Sequence, residues 1–446
     1  MSRSETRRPT RSRRFDALLS PLETFLATEA ASGLLLVACA AVAVLWVHSP
    51  AAPAYEALKQ LPIAIEIGDR RLEEPFVLWV NDLLMAIFFF FVGLEIKREL
   101  LVGELAGWKR ASLPLAAALG GMLAPAAIYG VLNFGGPGSP GWGIPMATDI
   151  AFAVGVLALL GGRVPPPLKV FLLALAIIDD LGAILVIAVF YTDTLHSGFL
   201  ALAAATWLLL AAYGNYGGAR ASVFLILGAL LWFFTFESGV HATVAGVLAA
   251  FTVPIAHRID AKNVANELRR QLAGGFERIE MTIGEAARAL LEARSPLHRF
   301  EHALAPWVAY GIMPLFALLN AGVPLLGEGG GAGFSMVTLG VFLGLLIGKP
   351  LGILGACWLA ERAGLARLPE GVDYGSLTGA GFLAGIGFTM SLFIAALAFP
   401  AGSQLDEAKI GVLAASVAAA VLGLLLLARR LAPAAGPAPR PKARGT

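Results

Sequence analysis

Charge is scarce in this 446-residue chain: Asp, Glu, Lys and Arg together make up 14% of it. Soluble proteins carry about 25%, so a water-soluble fold is excluded. Cysteine is rarer still. Cys39 and Cys357 lie far apart in apolar runs, with no spacing that suggests a disulfide framework or a thiolate metal site, and both are expected as packing residues. No ATP-binding motif, metal cluster or cofactor fingerprint is present, so no cofactor and no enzyme activity are expected, and no nucleic-acid partner either. The first 30 residues hold six Arg and no apolar core, which argues against a cleavable signal peptide. What the chain has in excess is hydrophobic residues, 58% of the total.

A membrane-spanning helix needs about 20 mostly apolar residues. That length yields twelve segments, at roughly 31–48, 77–95, 111–134, 142–160, 168–190, 198–213, 221–236, 239–256, 303–323, 336–360, 376–399 and 409–431. Lys and Arg in alternate connections then test the topology. One set, which includes both termini, carries 28 of the 33 basic residues, and the opposite set carries 4: Lys59, Arg70, Arg71 and Lys409. Both termini are therefore expected in the cytoplasm, with a basic tail over 1–30, a transmembrane domain over 31–431 and a short tail over 432–446. Lys349 is left inside the membrane.

Two extramembrane pieces stand out. Residues 63–75 alternate apolar and polar around Gly68-Asp69, the pattern of a hairpin on the outer face. A lone two-stranded hairpin is marginal in water and would gain from pairing with a second copy. The loop 257–302 is long and mixed in charge, and Phe276–Glu292 within it reads as an amphipathic surface helix.

The chemistry concentrates on a few charges. Asp179 and Asp180 are adjacent within the apolar run Phe171–Phe190, which contains no cation. Burial disfavours the charged form of a carboxylate, and ionisable groups inside a membrane mark ion or proton paths. On a helix, consecutive side chains point about 100° apart, so the two cannot form a tight dyad but can border one wet cavity. A carboxylate that trades a proton for a small cation is the simplest exchange site. Asp149 follows Pro145 and Thr148 in mid-segment. Proline interrupts the helical ladder, and Thr or Asp caps a helix that restarts. Asp149 can therefore neutralise helix-dipole ends at a break or ligate an ion directly.

The eleventh segment is interrupted differently, by Gly379, Gly381, Gly385 and Gly387. Interrupted helices in matching positions of two halves point to a transport site in an inverted repeat. Lys349 sits near mid-depth beside Gly340, Gly344, Gly348 and Gly352, a small-residue ridge suited to close helix approach. Its ammonium is expected to meet a carboxylate, with Asp149, Asp179 and Asp180 as the available partners. Glu95, Arg98 and Glu99 close the second segment and His241 opens the eighth. They read either as interfacial anchors or as a pH-responsive group.

Together these motifs resemble the NhaA family of bacterial sodium–proton antiporters. The resemblance runs over most of residues 20–431 through Gly-Leu-Glu-Ile-Lys-Arg-Glu (93–99), Ala-Thr-Asp-Ile-Ala-Phe-Ala (147–153) and Ala-Ile-Ile-Asp-Asp-Leu-Gly-Ala-Ile (176–184). It continues in Ser-Gly-Val-His-Ala-Thr (238–243), Pro-Leu-Phe-Ala (314–317), Gly-Lys-Pro-Leu-Gly (348–352) and Gly-Phe-Thr-Met-Ser-Leu-Phe (387–393). The resemblance implies an all-α polytopic membrane protein of about twelve helices, with inverted-topology repeats and broken fourth and eleventh helices. It implies Asp180 as the main cation ligand and Asp179 as a further cation and proton group paired with Lys349. Thr148 and Asp149 would stabilise the break, and Glu95, Arg98, Glu99, His241 and Glu301 would lie in or near a pH-response region. It also implies a homodimer through the hairpin. The chain departs from the family pattern in a longer 257–302 loop, in His298 where Lys is expected and in Ala305 where His is expected.

The expected function is electrogenic, pH-regulated exchange of Na⁺ and Li⁺ for H⁺ across the bacterial inner membrane. A sodium-coupled solute symporter of related architecture is the alternative. An intramembrane aspartyl protease fits poorly, because its two carboxylates must share one water and adjacent aspartates point apart.

Overall fold

The computed structural model describes residues 29–431 apart from 68–69, 193–194, 219, 256–294, 325–334 and 401. The terminal tails and most of the 257–302 loop, including the amphipathic stretch 276–292, lie outside the described residues.

The described chain begins with α1 (Glu29–Val47) and α2 (Ala52–Lys59), which meet at 117°. Ser49 and Pro50 make that corner, with the Ser49 hydroxyl accepting from the Ala51 N–H at 3.1 Å. Strands β1 (Pro62–Ile67) and β2 (Arg70–Pro75) then pair antiparallel, from Pro62 opposite Pro75 to Ile67 opposite Arg70. The Trp79 indole N–H donates to the Ile63 carbonyl at 3.1 Å and ties the hairpin to the next helix. The long helices follow: α3 (Phe76–Leu101), α4 (Trp108–Leu132), α5 (Ser139–Ala158), α6 (Pro166–Phe190) and α7 (Ser197–Asn215). Two shorter apolar helices, α8 (Ala221–Glu237) and α9 (Thr243–Thr252), precede α10 (Pro296–Asn320) and α11 (Met336–Arg362). Finally α12 (Tyr374–Ala384) and α13 (Phe388–Ala398) meet at 46°, and α14 (Ser403–Arg430) ends the described chain.

By length and composition eight of these helices can each cross a membrane, and ten spans result if each bent pair counts as one. The protein is thus a helical, polytopic membrane protein. Leucine, valine and alanine run around most of each helix, so lipid-facing and core-facing sides are both apolar. Polar backbone is then satisfied within the helices, as a bilayer requires.

Packing divides the molecule into two panels. A large core joins α1, α3–α6 and α10–α14, with Leu36, Phe89, Leu175, Phe316, Leu345 and Phe393 fully or almost fully buried. A smaller one, around Leu94, Leu210, Phe224 and Leu231, holds α7–α9 against α3. The ridge of small residues on α11 faces α4, and the two helices meet backbone to backbone at Gly120 and Gly352. A Cβ on Gly352 would fall on the Gly120 carbonyl oxygen, so only glycine permits this backbone contact.

Two readings from the sequence need correction. Residues 296–302 belong to α10 and not to the preceding loop, because Pro296 starts the helix before its apolar part begins. Lys409 is not in a connection: it is buried within α14, which starts at Ser403. Among the described residues, three helices also contain a π-helical turn, at Val80–Leu84, Val308–Ile312 and Gly344–Gly348, the last immediately before Lys349.

Candidate functional site

α6 carries Asp179 and Asp180 into the interior, where they are 0% and 1% exposed. The helix itself is regular from Pro166, its first residue, to Phe190. The irregularity lies in what surrounds it. α5 runs as 3₁₀ turns from Ser139 to Met146, leaves helical geometry at Ala147 and restarts at Ile150. Pro145 cannot donate to a helical ladder, which accounts for the place of the change. Between α12 and α13 the chain passes through Gly385, Ile386 and Gly387. A side chain on Gly385 would press on the Leu345 carbonyl.

The two irregular stretches are joined directly. The Asp149 N–H donates to the Ile386 carbonyl at 2.7 Å. The Ser391 hydroxyl donates to the Ile144 carbonyl, also at 2.7 Å. The Asp149 carboxylate accepts from the Phe152 N–H at 2.9 Å, capping the restarted half of α5, and from the Thr389 N–H at 3.1 Å and the Thr389 hydroxyl. One buried carboxylate therefore faces the first turns of two helices, whose unpaired N–H groups carry partial positive charge.

Lys349, fully buried on α11, places its ammonium 2.8 Å from Asp179 Oδ2 and also donates to the Met146 carbonyl. Of the three aspartates open to it, Asp179 is the partner. The Thr148 hydroxyl lies 2.7 Å from the same Asp179 oxygen and 2.9 Å from the Ala384 carbonyl. It has a single proton, so it donates to one of these acceptors at a time. The second Asp179 oxygen, Oδ1, and Asp180 Oδ1 are buried without a hydrogen-bond partner among the described residues. Buried polar atoms are nearly always satisfied, so two orphan carboxylate oxygens on adjacent residues suit a proton or a small hard cation, which takes oxygen ligands.

Asp180 and Asp149 both line a cavity of about 280 Å³ that also touches Ser32, Glu95, Ala309 and Met390. Glu95 borders a second cavity of about 210 Å³, lined also by Arg98, Glu99, Ile150, Leu173 and Ile177. Glu95 thus stands between the aspartates and the charged end of α3. There Arg98 Nε lies 3.0 Å from Glu301 Oε1 on α10, and Arg98 Nη2 lies 3.4 Å from Glu99. His241 is not part of this cluster. Its ring bonds Thr243 at 3.1 Å and packs edge-on against Phe393 at 5.7 Å.

Thr389 and Lys97 escaped the sequence reading. Thr389 had a signal, since a hydroxyl residue just after a glycine interruption is typical of a restarting helix. The Lys97 ammonium donates to the carbonyls of Phe251 and Val253, 2.6 Å from each, and closes the C-terminal end of α9. Only the tertiary contact reveals that role.

The family model described as Na⁺/H⁺ antiporter 1 matches residues 23–427, which include every residue of this site. The chain belongs to that family. Similar proteins include the Na(+)/H(+) antiporter NhaA of Oleidesulfovibrio alaskensis, 48% identical over 92% of this chain and 94% of the relative. The Na(+)/H(+) antiporter NhaA of Koribacter versatilis is 46% identical over 97% and 96% of the two chains. That of Escherichia coli O139:H28 is 44% identical over 92% and 99%. These are antiporters by name, in agreement with the resemblance of the motifs and with a transporter in place of an enzyme.

Proposed function

We propose that this chain exchanges Na⁺, and also Li⁺, for H⁺ across the bacterial inner membrane. The observation that carries the reading is the pair of unpartnered oxygens on Asp179 and Asp180, one carboxylate held by Lys349 and the other open to a cavity. Asp180 is the principal ligand. It holds a proton or shares the cation, never both, and that competition couples the two fluxes. A cation bridging Asp180 and Asp179 loosens the Lys349–Asp179 pair, since one carboxylate cannot fully serve both cations. Discharge of more than one proton per Na⁺ makes the exchange electrogenic.

Asp149 and Thr148 hold the two irregular stretches together while the site changes access. Rocking of one half against the other, in a twelve-span inverted repeat with interrupted fourth and eleventh spans, supplies that change. The cluster of Glu95, Arg98, Glu99 and Glu301 controls the pH at which the path opens, and His241 contributes from its contact with Phe393. Both termini face the cytoplasm, as the strong bias of basic residues toward the connections on their side supports. Strands β1 and β2 form a two-stranded sheet, and pairing its free edge with a second copy yields a homodimer.

The test is Na⁺-dependent proton flux in inside-out vesicles from a host lacking its own antiporters, comparing the native chain with Asp180→Asn. Exchange in the native chain and none in the variant supports the assignment. Undiminished exchange by Asp180→Asn would remove it.

A further inference from the structure

The first two turns of α10 carry a feature that the transport site does not use. His298 and His302 are four residues apart on one helix face, and their Nε2 atoms lie 2.8 Å from each other. The rings are nearly perpendicular with centroids at 4.1 Å. His302 is exposed and His298 is partly so, so both are open to solution.

We propose that His298 and His302 form a binding site for a divalent transition-metal ion, of the class that includes Zn²⁺ and Ni²⁺. Neutral imidazole is a common ligand for these ions, and two His at i and i+4 on a helix present their nitrogens to the same side. With metal–nitrogen bonds of about 2.0–2.1 Å, two adjacent ligands of an octahedral ion sit about 2.9 Å apart and those of a tetrahedral ion about 3.3 Å apart. The present 2.8 Å separation therefore needs only a small opening of the two rings.

The other ring nitrogen of His298 supports the same assignment. Its Nδ1 points to Glu301 Oε2 at 3.7 Å, and that oxygen has no hydrogen-bond partner among the described residues. A carboxylate behind a histidine favours the proton on the near nitrogen and leaves the far one free to coordinate. Glu301 also offsets the unfavourable placement of a cation at a helix N-terminus. Arg98 lies on the other oxygen of Glu301, 3.0 Å from Oε1. No third His, Cys, Asp or Glu completes a cage among the described residues. Water fills the remaining positions, and the ion exchanges readily. A resident structural metal would instead need a closed four-ligand set.

The rival account of the 2.8 Å contact is an N–H···N hydrogen bond between neutral rings, with no metal affinity. Equilibrium dialysis of the full chain in detergent, without a polyhistidine tag, against Zn²⁺ or Ni²⁺ alone distinguishes them when bound metal is counted by mass spectrometry. The site predicts one ion per chain. His298→Lys and His302→Gln should each weaken that binding at least tenfold, while His48→Gln leaves it unchanged. Gel filtration confirms that the variants remain folded. Binding that persists in both single variants, or native binding no stronger than that of the double variant, overturns the proposal. This readout is independent of exchange activity.

Discussion

Replacing Lys349 by Ala probes the structure where it is most tightly constrained. The change removes an ammonium that is fully buried, lies 2.8 Å from Asp179 Oδ2 and donates to the Met146 carbonyl. Asp179, itself 0% exposed, keeps only the Thr148 hydroxyl on that oxygen. Removing one partner of a buried ion pair costs about 3–5 kcal/mol, because the other charge is left uncompensated. Proteins of about 150–250 residues lose about 2–4 °C of Tm per kcal/mol, and larger chains lose less, so a fall on the order of 5–10 °C is expected. Thermal unfolding in a fixed detergent, with exposed Lys109→Ala as control, measures it. The double variant Lys349→Met with Asp179→Asn should recover much of the loss, since buried pairs replaced as a whole are often neutral. A Lys349→Ala melting temperature indistinguishable from that of Lys109→Ala would refute the buried pair.

Other consequences follow from single contacts. Thr148→Val removes the donor to Asp179 and to the Ala384 carbonyl and should cost about 1–3 kcal/mol, whereas Thr148→Ser should stay near the native melting temperature. Gly352→Ala drives a Cβ onto the Gly120 carbonyl and should destabilise by about 1–3 kcal/mol or more. Gly355→Ala on the same helix, where a Cβ meets open space, should not. Asp373 caps α12, and hydrogen bonds from the Ser376 hydroxyl and N–H hold its pKa below the usual carboxylate value. Its contribution, about 0.5–2 kcal/mol for a cap, is complete above the unfolded value near pH 4. It disappears as pH falls through the lower folded value, so Asp373→Ala should lower stability at pH 7 and lose its effect in acid.

The apolar lengths and the rarity of charge made the membrane class legible, since no other solvent tolerates such long runs. Asp179, Asp180 and Lys349 were legible for the same reason: each is an expensive residue in an apolar context. The residues alone leave Asp149, Asp179 and Asp180 open as the lysine's partner, and only the family resemblance implies Asp179, because the choice depends on how α6, α11 and the bend at Met146 meet. Pro145 signalled the change in α5, but nothing local signalled the π-helical turns at Val80–Leu84, Val308–Ile312 and Gly344–Gly348. Those turns conserve the apolar pattern and shift it by one residue. Lys409 reads in the sequence as the charged end of a span, whereas α14 starts earlier, at Ser403, and buries it. Separation of His241 from the Arg98–Glu301 pair is likewise a matter of which helices adjoin, which spacing along the chain does not encode.

Proton flux in inside-out vesicles, with Na⁺ added across pH 6.5–9, tests the central claim most directly. Sodium-dependent dissipation of the proton gradient by the native chain, absent in Asp180→Asn, is the predicted result. Dissipation that survives in Asp180→Asn, or none from the native chain at any pH, would contradict it.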